Sequence, residues 1–192
     1  MIKSIELKNI PEIANIHALA LKQDFLPSLG VDFLEVIYSG VFKKGEAFGF
    51  VAEDKGVIVG FVVGTKNMDK FFKTALISDP AKLAYLLSLK IFQRPLLIKK
   101  ILETFLYTKK DKGPKAELVV IAILSKWQSK GIGRKLVRSL ENYFAKEKVK
   151  KYKLTVYADK KAVSFYEKLK YFKLAEFNLY GKPWHIYEKT IS

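Results

Sequence analysis

A short glycine-containing loop carries the residues best suited to chemistry. Gln128-Ser129-Lys130-Gly131-Ile132-Gly133 follows the β-rich apolar run Ala116–Leu124, and helical spacing begins directly after it. Glycine lets a backbone approach a ligand closely, and the free amide groups at a helix start attract anions. Lys126, Lys130 and Arg134 add positive charge. The pattern predicts a pyrophosphate site, although a plain strand-to-helix turn would use the same glycines.

Other phosphate, metal and nucleophile chemistry is poorly supported by the sequence. Leu136 stands where a dinucleotide-binding loop needs its third glycine, and no Gly-Lys-Ser/Thr follows as a P-loop requires. The chain has no cysteine and two histidines, His17 and His185, which argues against thiolate zinc, a cysteine nucleophile, a histidine cluster and a Ser-His-Asp triad. We therefore expect no bound metal.

The charge balance favours nucleic acid, an anionic membrane or anionic small molecules as partners. Thirty-five basic and nineteen acidic residues give a formal net charge of +16, and all but three of the basic residues are lysines. Arginine is the residue suited to bidentate recognition of bases, so nucleic acid is not expected as the main partner. Glu6 and Glu12 argue against a signal peptide, and lysines interrupt the most apolar stretch, Leu83–Leu106. We expect a cytoplasmic protein without a transmembrane segment.

The elements that must position the loop alternate between helix and strand. The 192 residues predict one domain of the mixed α/β (α+β) class. Hydrophobic periodicity and turn residues predict these elements before the loop: a strand Ile2–Leu7, a helix from Pro11 to Lys22, a connecting loop Gln23–Gly30, a helix from Phe33 to about Gly45, and a hairpin of Ala47–Asp54 and Gly56–Gly64. After the loop they predict a helix to about Lys148, a strand Tyr152–Ala158, a helix around Ala162–Leu169, and strands Phe172–Tyr180 and Trp184–Thr190.

Residues 65–115 depart from this rhythm and predict a helical insertion. The sequence predicts a short helix near Phe71 and a second helix over about residues 83–92. Pro95 ends the second helix, and a third helix follows from Leu97. Lys109–Pro114 predicts a turn-rich exit. The segment is too short for a core of its own, and a lid, a homodimer contact and a membrane-surface contact all remain open for it.

Two motifs together resemble the GNAT superfamily of N-acetyltransferases. Gln128–Gly133 is similar to that family's Gln/Arg-x-x-Gly-x-Gly/Ala loop, and Tyr157–Leu169 is similar to its strand–Asn-x-x-Ala-x-x-x-Tyr-x-Lys-Leu segment. The motif match covers about residues 116–175. Asp159 replaces the usual Asn, Lys170-Tyr171 replaces Gly-Phe, and Ser125 replaces a frequent Pro. The resemblance implies a twisted, mostly antiparallel sheet of six to seven strands with helices on both faces and an insertion before the fourth strand.

The resemblance also implies a reaction and a set of site residues. Acetyl-CoA would give its acetyl group directly to a primary amine in a ternary complex, and Tyr166 would protonate the departing CoA thiolate. Asp159 would lie near the pantetheine. The backbone of the fourth strand would pair with the pantetheine arm, and the glycine loop would hold the pyrophosphate. The cofactor-binding residues that the resemblance implies are Ile121, Ala122, Ile123, Gln128, Ser129, Lys130, Gly131, Ile132, Gly133, Arg134, Asp159 and Tyr166.

The general base and the acceptor are less defined. Glu117, which opens the fourth strand, is the candidate base, with an ordered water or His185 as alternatives. Trp184 and Tyr180 are expected to wall an acceptor cleft for a small amine, an amino sugar, an amino-acid derivative or a protein amine. A non-catalytic acyl-CoA-sensing or nucleic-acid-binding module on the same fold is the alternative, and it would not need the hydroxyl of Tyr166.

Overall fold

The computed structural model describes residues 1–110 and 113–191, and it describes their side chains except at 105–110 and 160. Seven strands and eight α-helices lie within this part of the chain. The strands are β1 (Ile2–Ser4), β2 (Phe48–Asp54), β3 (Val57–Thr65), β4 (Glu117–Ile123), β5 (Lys151–Tyr157), β6 (Phe172–Leu179) and β7 (Lys182–Thr190). The helices are α1 (Ile10–Ala20), α2 (Phe25–Ser28), α3 (Val31–Lys43), α4 (Met68–Ile77), α5 (Pro80–Gln93), α6 (Leu97–Lys110), α7 (Ile132–Lys146) and α8 (Lys160–Lys168).

The strands form one sheet in the order β1-β2-β3-β4-β5-β7-β6. Every neighbouring pair is antiparallel except β4 and β5, which run parallel. The predicted mixed α/β class and mostly antiparallel sheet are therefore confirmed. The single parallel pair lies in the middle of the sheet, and the helix that the glycine loop opens connects its two strands.

Helices cover both faces of the sheet and divide the core. One cluster packs α1 and α3 against β2 and β3, with Ile13, Val41 and Phe61 inaccessible to solvent. The other packs α7 against the opposite face, with Leu136 and Phe144 equally buried. β3 is buried from its second residue to its last, as its near-continuous apolar sequence requires for a strand covered on both faces.

The insertion consists of three helices: α4 packs on the first cluster through Phe71 and Ala75, whereas α5 and α6 pack on a third cluster. Leu83 of α5 and Leu97 of α6 are buried against α2 and α3, where they contact Phe25, Leu29 and Phe33. This packing explains why the predicted loop Gln23–Gly30 contains the short helix α2, since its apolar residues gain a buried partner that is distant in sequence.

The insertion also reaches the hairpin between β6 and β7. The Thr104 Oγ1 and Tyr180 Oη atoms are 2.6 Å apart, and the Tyr180 N–H donates to Glu103 Oε2 at 2.9 Å. Helix α6 continues to Lys110, where the sequence predicts a turn; Asp111 and Lys112 of that predicted turn lie outside the described residues. Within residues 1–110 and 113–191, no helix combines the length and apolarity needed to cross a membrane.

Candidate active site

The parallel strands β4 and β5 part soon after they meet. Their ladder consists of two residue pairs, Glu117 with Lys153 and Leu118 with Leu154. On its other side, β4 is bulged: Val63 of β3 pairs with Val120 and Gly64 pairs with Leu118, so Val119 is the extra residue. A bulge bends its strand, and this one lies where the two strands separate. A gap therefore opens between β4 and β5 toward their carboxyl ends.

The backbone of β4 presents polar groups along this gap. The Leu124 N–H donates to Val59 O of β3 at 3.0 Å, and alternation along an antiparallel strand then directs Ile121 and Ile123 to the opposite side. The Gln128 side chain donates to Ile123 O at 3.0 Å from that side. Of the three predicted pantetheine contacts, Ile121 and Ile123 thus face the gap, whereas the backbone of Ala122 faces β3.

The glycine loop lies at the end of β4 and opens α7. Ser129 has φ +60° and Gly131 has φ +77°, so the backbone turns sharply before the helix. The Lys135 N–H donates to Gly131 O at 3.2 Å, which leaves the N–H groups of the three preceding residues without intrahelical acceptors. No side chain among the described residues caps this end of α7. Free amides and the positive end of the helix dipole together make an anion site.

The two glycines of the loop are needed for different physical reasons. A Cβ on Gly131 would meet no protein atom within 4 Å, and its left-handed conformation disfavours other residues. A Cβ on Gly133 would lie 3.2 Å from Phe165 Cζ and 3.4 Å from Ile123 Cδ1. Gly133 therefore lets α7 pack closely on β4 and α8, whereas Gly131 shapes the turn beside open space.

Positive charge surrounds this loop. Lys130 Nζ lies 4.5 Å from the centre of the Trp127 ring, in a cation–π contact that holds the ammonium group near the loop. Lys126 belongs to the 3-10 turn Ser125–Trp127 just before the loop, and Arg134 is in the first turn of α7. A ligand with several negative charges would be attracted here.

Tyr166 is placed by a well-capped helix. Asp159 Oδ1 accepts from the Lys161 N–H at 2.7 Å and from the Ala162 N–H at 3.4 Å, so this residue caps α8. Tyr166 is 5% exposed and packs in the core cluster that includes Ile121 and Ile123. Burial raises the pKa of the Tyr166 hydroxyl, which therefore stays protonated at neutral pH. Lys170, with φ +61°, occupies the left-handed position after the helix where the family usually has Gly.

Glu117 lies at the closed end of the gap and is 7% exposed. Thr155 Oγ1 donates to Glu117 Oε1 at 3.4 Å, and Lys153 Nζ is 4.0 Å from Glu117 Oε2. Leu118 and Leu154 pack toward α7, so alternation places Glu117 and its partners on the other face of the sheet. The side chains of Glu117 and Tyr166 thus lie on opposite faces of the sheet.

His185 lies apart from Glu117. It shares a face of β7 with Tyr187, which packs with α7, and its Nε2 is 3.2 Å from Glu176 Oε2 and 3.1 Å from Lys173 Nζ. Its position on the opposite face from Glu117 makes it a poor substitute for that carboxylate.

An aromatic wall lies on the Glu117 face, where alternation along β7 places Trp184. Ring centres are 5.1 Å apart for Phe25 and Tyr180, 6.4 Å for Tyr180 and Trp184, and 6.0 Å for Trp184 and Tyr157. These rings connect α2, the β6–β7 hairpin and the end of β5. The predicted grouping of Tyr180 with Trp184 therefore extends to Phe25, which the sequence placed in a loop.

The comparisons identify the class to which this fold and loop belong. The sequence profile of the Acetyltransferase (GNAT) family matches residues 12–171. The chain belongs to this family.

Solved structures of that class share the fold at low identity. An N-acetyltransferase from Staphylococcus aureus Mu50 superposes with a TM-score of 0.70 at 15% identity, covering 98% of this chain and 100% of that one. The ribosomal-protein-S18-alanine N-acetyltransferase from Escherichia coli gives 0.63 at 17%, covering 100% and 94%. A variant of the spermidine N-acetyltransferase from Vibrio cholerae gives 0.61 at 16%, covering 99% and 94%. None of the curated proteins matches the chain in sequence.

Proposed function

We propose that this protein is an N-acetyltransferase that moves the acetyl group of acetyl-CoA directly to a primary amine. The observation that carries the proposal is the early separation of β4 from β5 beside an uncapped helix start. Buried backbone donors and acceptors need partners, and a pantetheine arm with its amide groups supplies them along Ile121 and Ile123. The pyrophosphate would then accept from the N–H groups of Ile132, Gly133 and Arg134.

The placement of the two titratable residues supports direct transfer. The amine would approach from the face that carries Glu117, and the thiolate would leave on the face that carries Tyr166. An amine with a pKa of about 10 must lose a proton before the amine attacks, and Glu117 can accept that proton directly or through a water. In the tetrahedral intermediate, the new C–N bond has formed. When this intermediate collapses, the C–S bond breaks and the Tyr166 hydroxyl gives its proton to sulfur.

The bound acetyl-CoA would supply the activated thioester, and the chain's own residues would bind and orient it. The 3-10 turn at Ser125–Trp127 and the loop that follows fix the phosphate end. The ring of Tyr166 is buried and packs against the rings of Tyr171 and Tyr187, at 5.3 and 6.3 Å between centres. A non-catalytic acyl-CoA binder would need the glycine loop and the gap, but it would not need the hydroxyl of Tyr166 on the face opposite Glu117.

A screen of amines tests the proposal. The full chain is incubated with acetyl-CoA and a panel of polyamines, amino sugars, amino acids and peptides with free N-termini. Free CoA is measured with a thiol reagent, and the acetylated product is identified by mass spectrometry. We expect at least one amine to give both. CoA binding by calorimetry without turnover across the panel would support the non-catalytic alternative, and the absence of CoA binding would refute the proposal.

A further inference from the structure

The outer surface of the insertion exposes apolar side chains that the rest of the fold does not cover. Tyr85, Leu89 and Phe92 are 62%, 45% and 90% exposed, and their spacing of four and three residues aligns them in one stripe on α5. Leu83 and Leu87, half a turn away, hold the inner side of the same helix against α2 and α3. The helix is therefore apolar on two opposite sides, and only one of them has a partner within the described residues.

The stripe continues through the turn into α6. Leu96 is 83% exposed, and Ile98 and Leu102 are 47% and 58% exposed, whereas Leu97 and Ile101 face the cluster beneath. Phe92 and Leu96 flank Arg94-Pro95 and form the most exposed part of this surface. We call the six side chains Tyr85, Leu89, Phe92, Leu96, Ile98 and Leu102 the outer apolar surface. Several exposed apolar side chains grouped on one segment of a folded domain mark an interaction site.

Basic side chains border this surface. From Pro80 to Leu102 the sequence has five basic residues and no acidic one. Lys82 is one turn before Tyr85 on the stripe, Arg94 lies in the turn, and the Lys99 side chain is 80% exposed, with its Nζ 4.0 Å from Glu103 Oε1. The other two point toward the packed side: Lys90 lies beside Gly30, and Lys100 Nζ is 6.0 Å from the centre of the Tyr180 ring. A partner that suits this surface offers an apolar interior and negative charge together.

A second copy of the chain meets these requirements poorly. A symmetric dimer through this surface would bring Lys82 and Arg94 close to the same cations of its partner, and Glu103, the first carboxylate after this stretch, already lies beside Lys99. An anionic lipid surface meets both requirements, because aromatic and aliphatic side chains enter the boundary of the acyl chains while lysines and arginines stay at the phosphates.

We propose that the outer apolar surface docks this protein on membranes that carry anionic lipids, with Phe92 and Leu96 inserted at the interface. The helices lie along the membrane rather than across it, in keeping with their short length. The docking does not depend on the proposed acetyl transfer.

Sedimentation with lipid vesicles tests the proposal on the full chain. The vesicles contain about three parts phosphatidylcholine to one part phosphatidylglycerol, and vesicles of phosphatidylcholine alone serve as the neutral reference. We expect binding to the anionic vesicles, little binding to the neutral ones, and weakening by salt. The double variant Phe92→Ser/Leu96→Ser should lower the partition coefficient at least about tenfold.

Matched variants separate this surface from the general positive charge. Phe172→Ser/Leu174→Ser alters an exposed Phe and an exposed Leu on β6 and should stay within about twofold of wild type, since these residues lie outside the proposed surface. Lys82→Glu/Lys99→Glu should reduce binding more than Lys146→Glu/Lys150→Glu, which makes the same charge change on the far end of α7 and beyond it. Thermal melting confirms that each variant is folded.

Three results would overturn the proposal. The first is no binding to anionic vesicles at low salt. The second is an equal loss in the Phe92/Leu96 variant and the Phe172/Leu174 variant, which would mean adsorption by net charge. The third is a dimer in light scattering that Phe92→Ser/Leu96→Ser converts to a monomer, which would show that a second copy covers this surface.

Discussion

The position of Gly131 allows a sharp test of the glycine loop. Its backbone has φ +77°, and a Cβ there would meet no protein atom within 4 Å. Gly45, at the end of α3, has φ +71° and the same open surroundings. Valine at either position therefore imposes similar backbone strain, about 1–2 kcal/mol for the left-handed conformation. The two variants differ in what lies beside the new side chain.

The expected loss of CoA affinity follows from the amide groups at the start of α7. Ile132, Gly133 and Arg134 have no intrahelical acceptor for their N–H groups, and we propose that the pyrophosphate accepts from them. A hydrogen bond to a charged group contributes about 1.5–3 kcal/mol. A valine side chain that displaces the phosphates from two of these amides would cost about 3–6 kcal/mol, which raises the dissociation constant more than about a hundredfold.

Isothermal calorimetry with CoA, alongside thermal melting, measures both effects. Gly131→Val and Gly45→Val should show comparable decreases in melting temperature, and only Gly131→Val should lose CoA binding. Gly133 is a poorer position for this test, because a Cβ there would press on Phe165 and disturb packing. The reasoning is refuted if Gly131→Val binds CoA within about threefold of wild type, or if Gly45→Val loses binding equally.

Four further predictions use the same preparation. Tyr166→Phe should lower kcat about 10²–10⁴-fold with nearly unchanged melting temperature, measured with the amine found in the screen; unchanged kcat would assign Tyr166 to packing alone. CoA binding should weaken as salt rises from about 0.05 to 0.5 M in calorimetry, because cations around the loop attract its phosphates; a salt-independent dissociation constant would contradict this. Burial lowers the pKa of His17 from 6.5 to about 4, so the unfolded chain binds a proton that the folded chain does not, and stability should fall on the order of 3 kcal/mol as pH drops through this interval. In urea unfolding, the free energy of unfolding should depend less on pH in His17→Gln than in wild type; equal slopes would show that His17 is not the source of this pH dependence. Tyr180→Phe removes the 2.6 Å contact with Thr104 Oγ1 and should change the KM for the amine but leave CoA affinity unchanged; a parallel loss of CoA affinity would place the hairpin nearer the cofactor than we propose.

The sequence predicted most elements and the loop because their signals are local. Periodicity located the helices of the insertion and their break at Pro95, and Gly131 predicted a backbone that other residues rarely adopt. The family resemblance supplied the expectation that the backbone of the fourth strand pairs with a pantetheine arm. The sheet order and the early separation of β4 from β5 agree with it.

Several features were not predicted from the sequence, most of them because they depend on distant partners. One is local: the resemblance placed Asp159 near the pantetheine, and the sequence analysis did not predict that its side chain caps α8, a role that any short polar residue before a helix can take. The pairing of Glu117 with Lys153 and Thr155 depends on the register between the parallel strands β4 and β5. No tight turn joins these strands, so their register cannot be predicted from a turn type. The short helix α2 was not predicted, because its Phe25 is buried only by contact with the insertion, which is distant in sequence.

The gap between β4 and β5 connects these observations. The bulge at Val119 turns β4 away from β5, and the close packing that Gly133 permits holds the start of α7 against the end of that strand. The sheet therefore lacks ladder hydrogen bonds between β4 and β5 over a central stretch. This does not stabilise the fold, because the backbone groups along the gap still need hydrogen-bond partners. We propose that a ligand with its own amides and phosphates replaces those bonds along the gap and at the helix start. Glu117 and Tyr166 lie on opposite faces of the sheet. Under this proposal, the binding of the thioester and the movement of protons on its two sides both depend on the separation of β4 from β5.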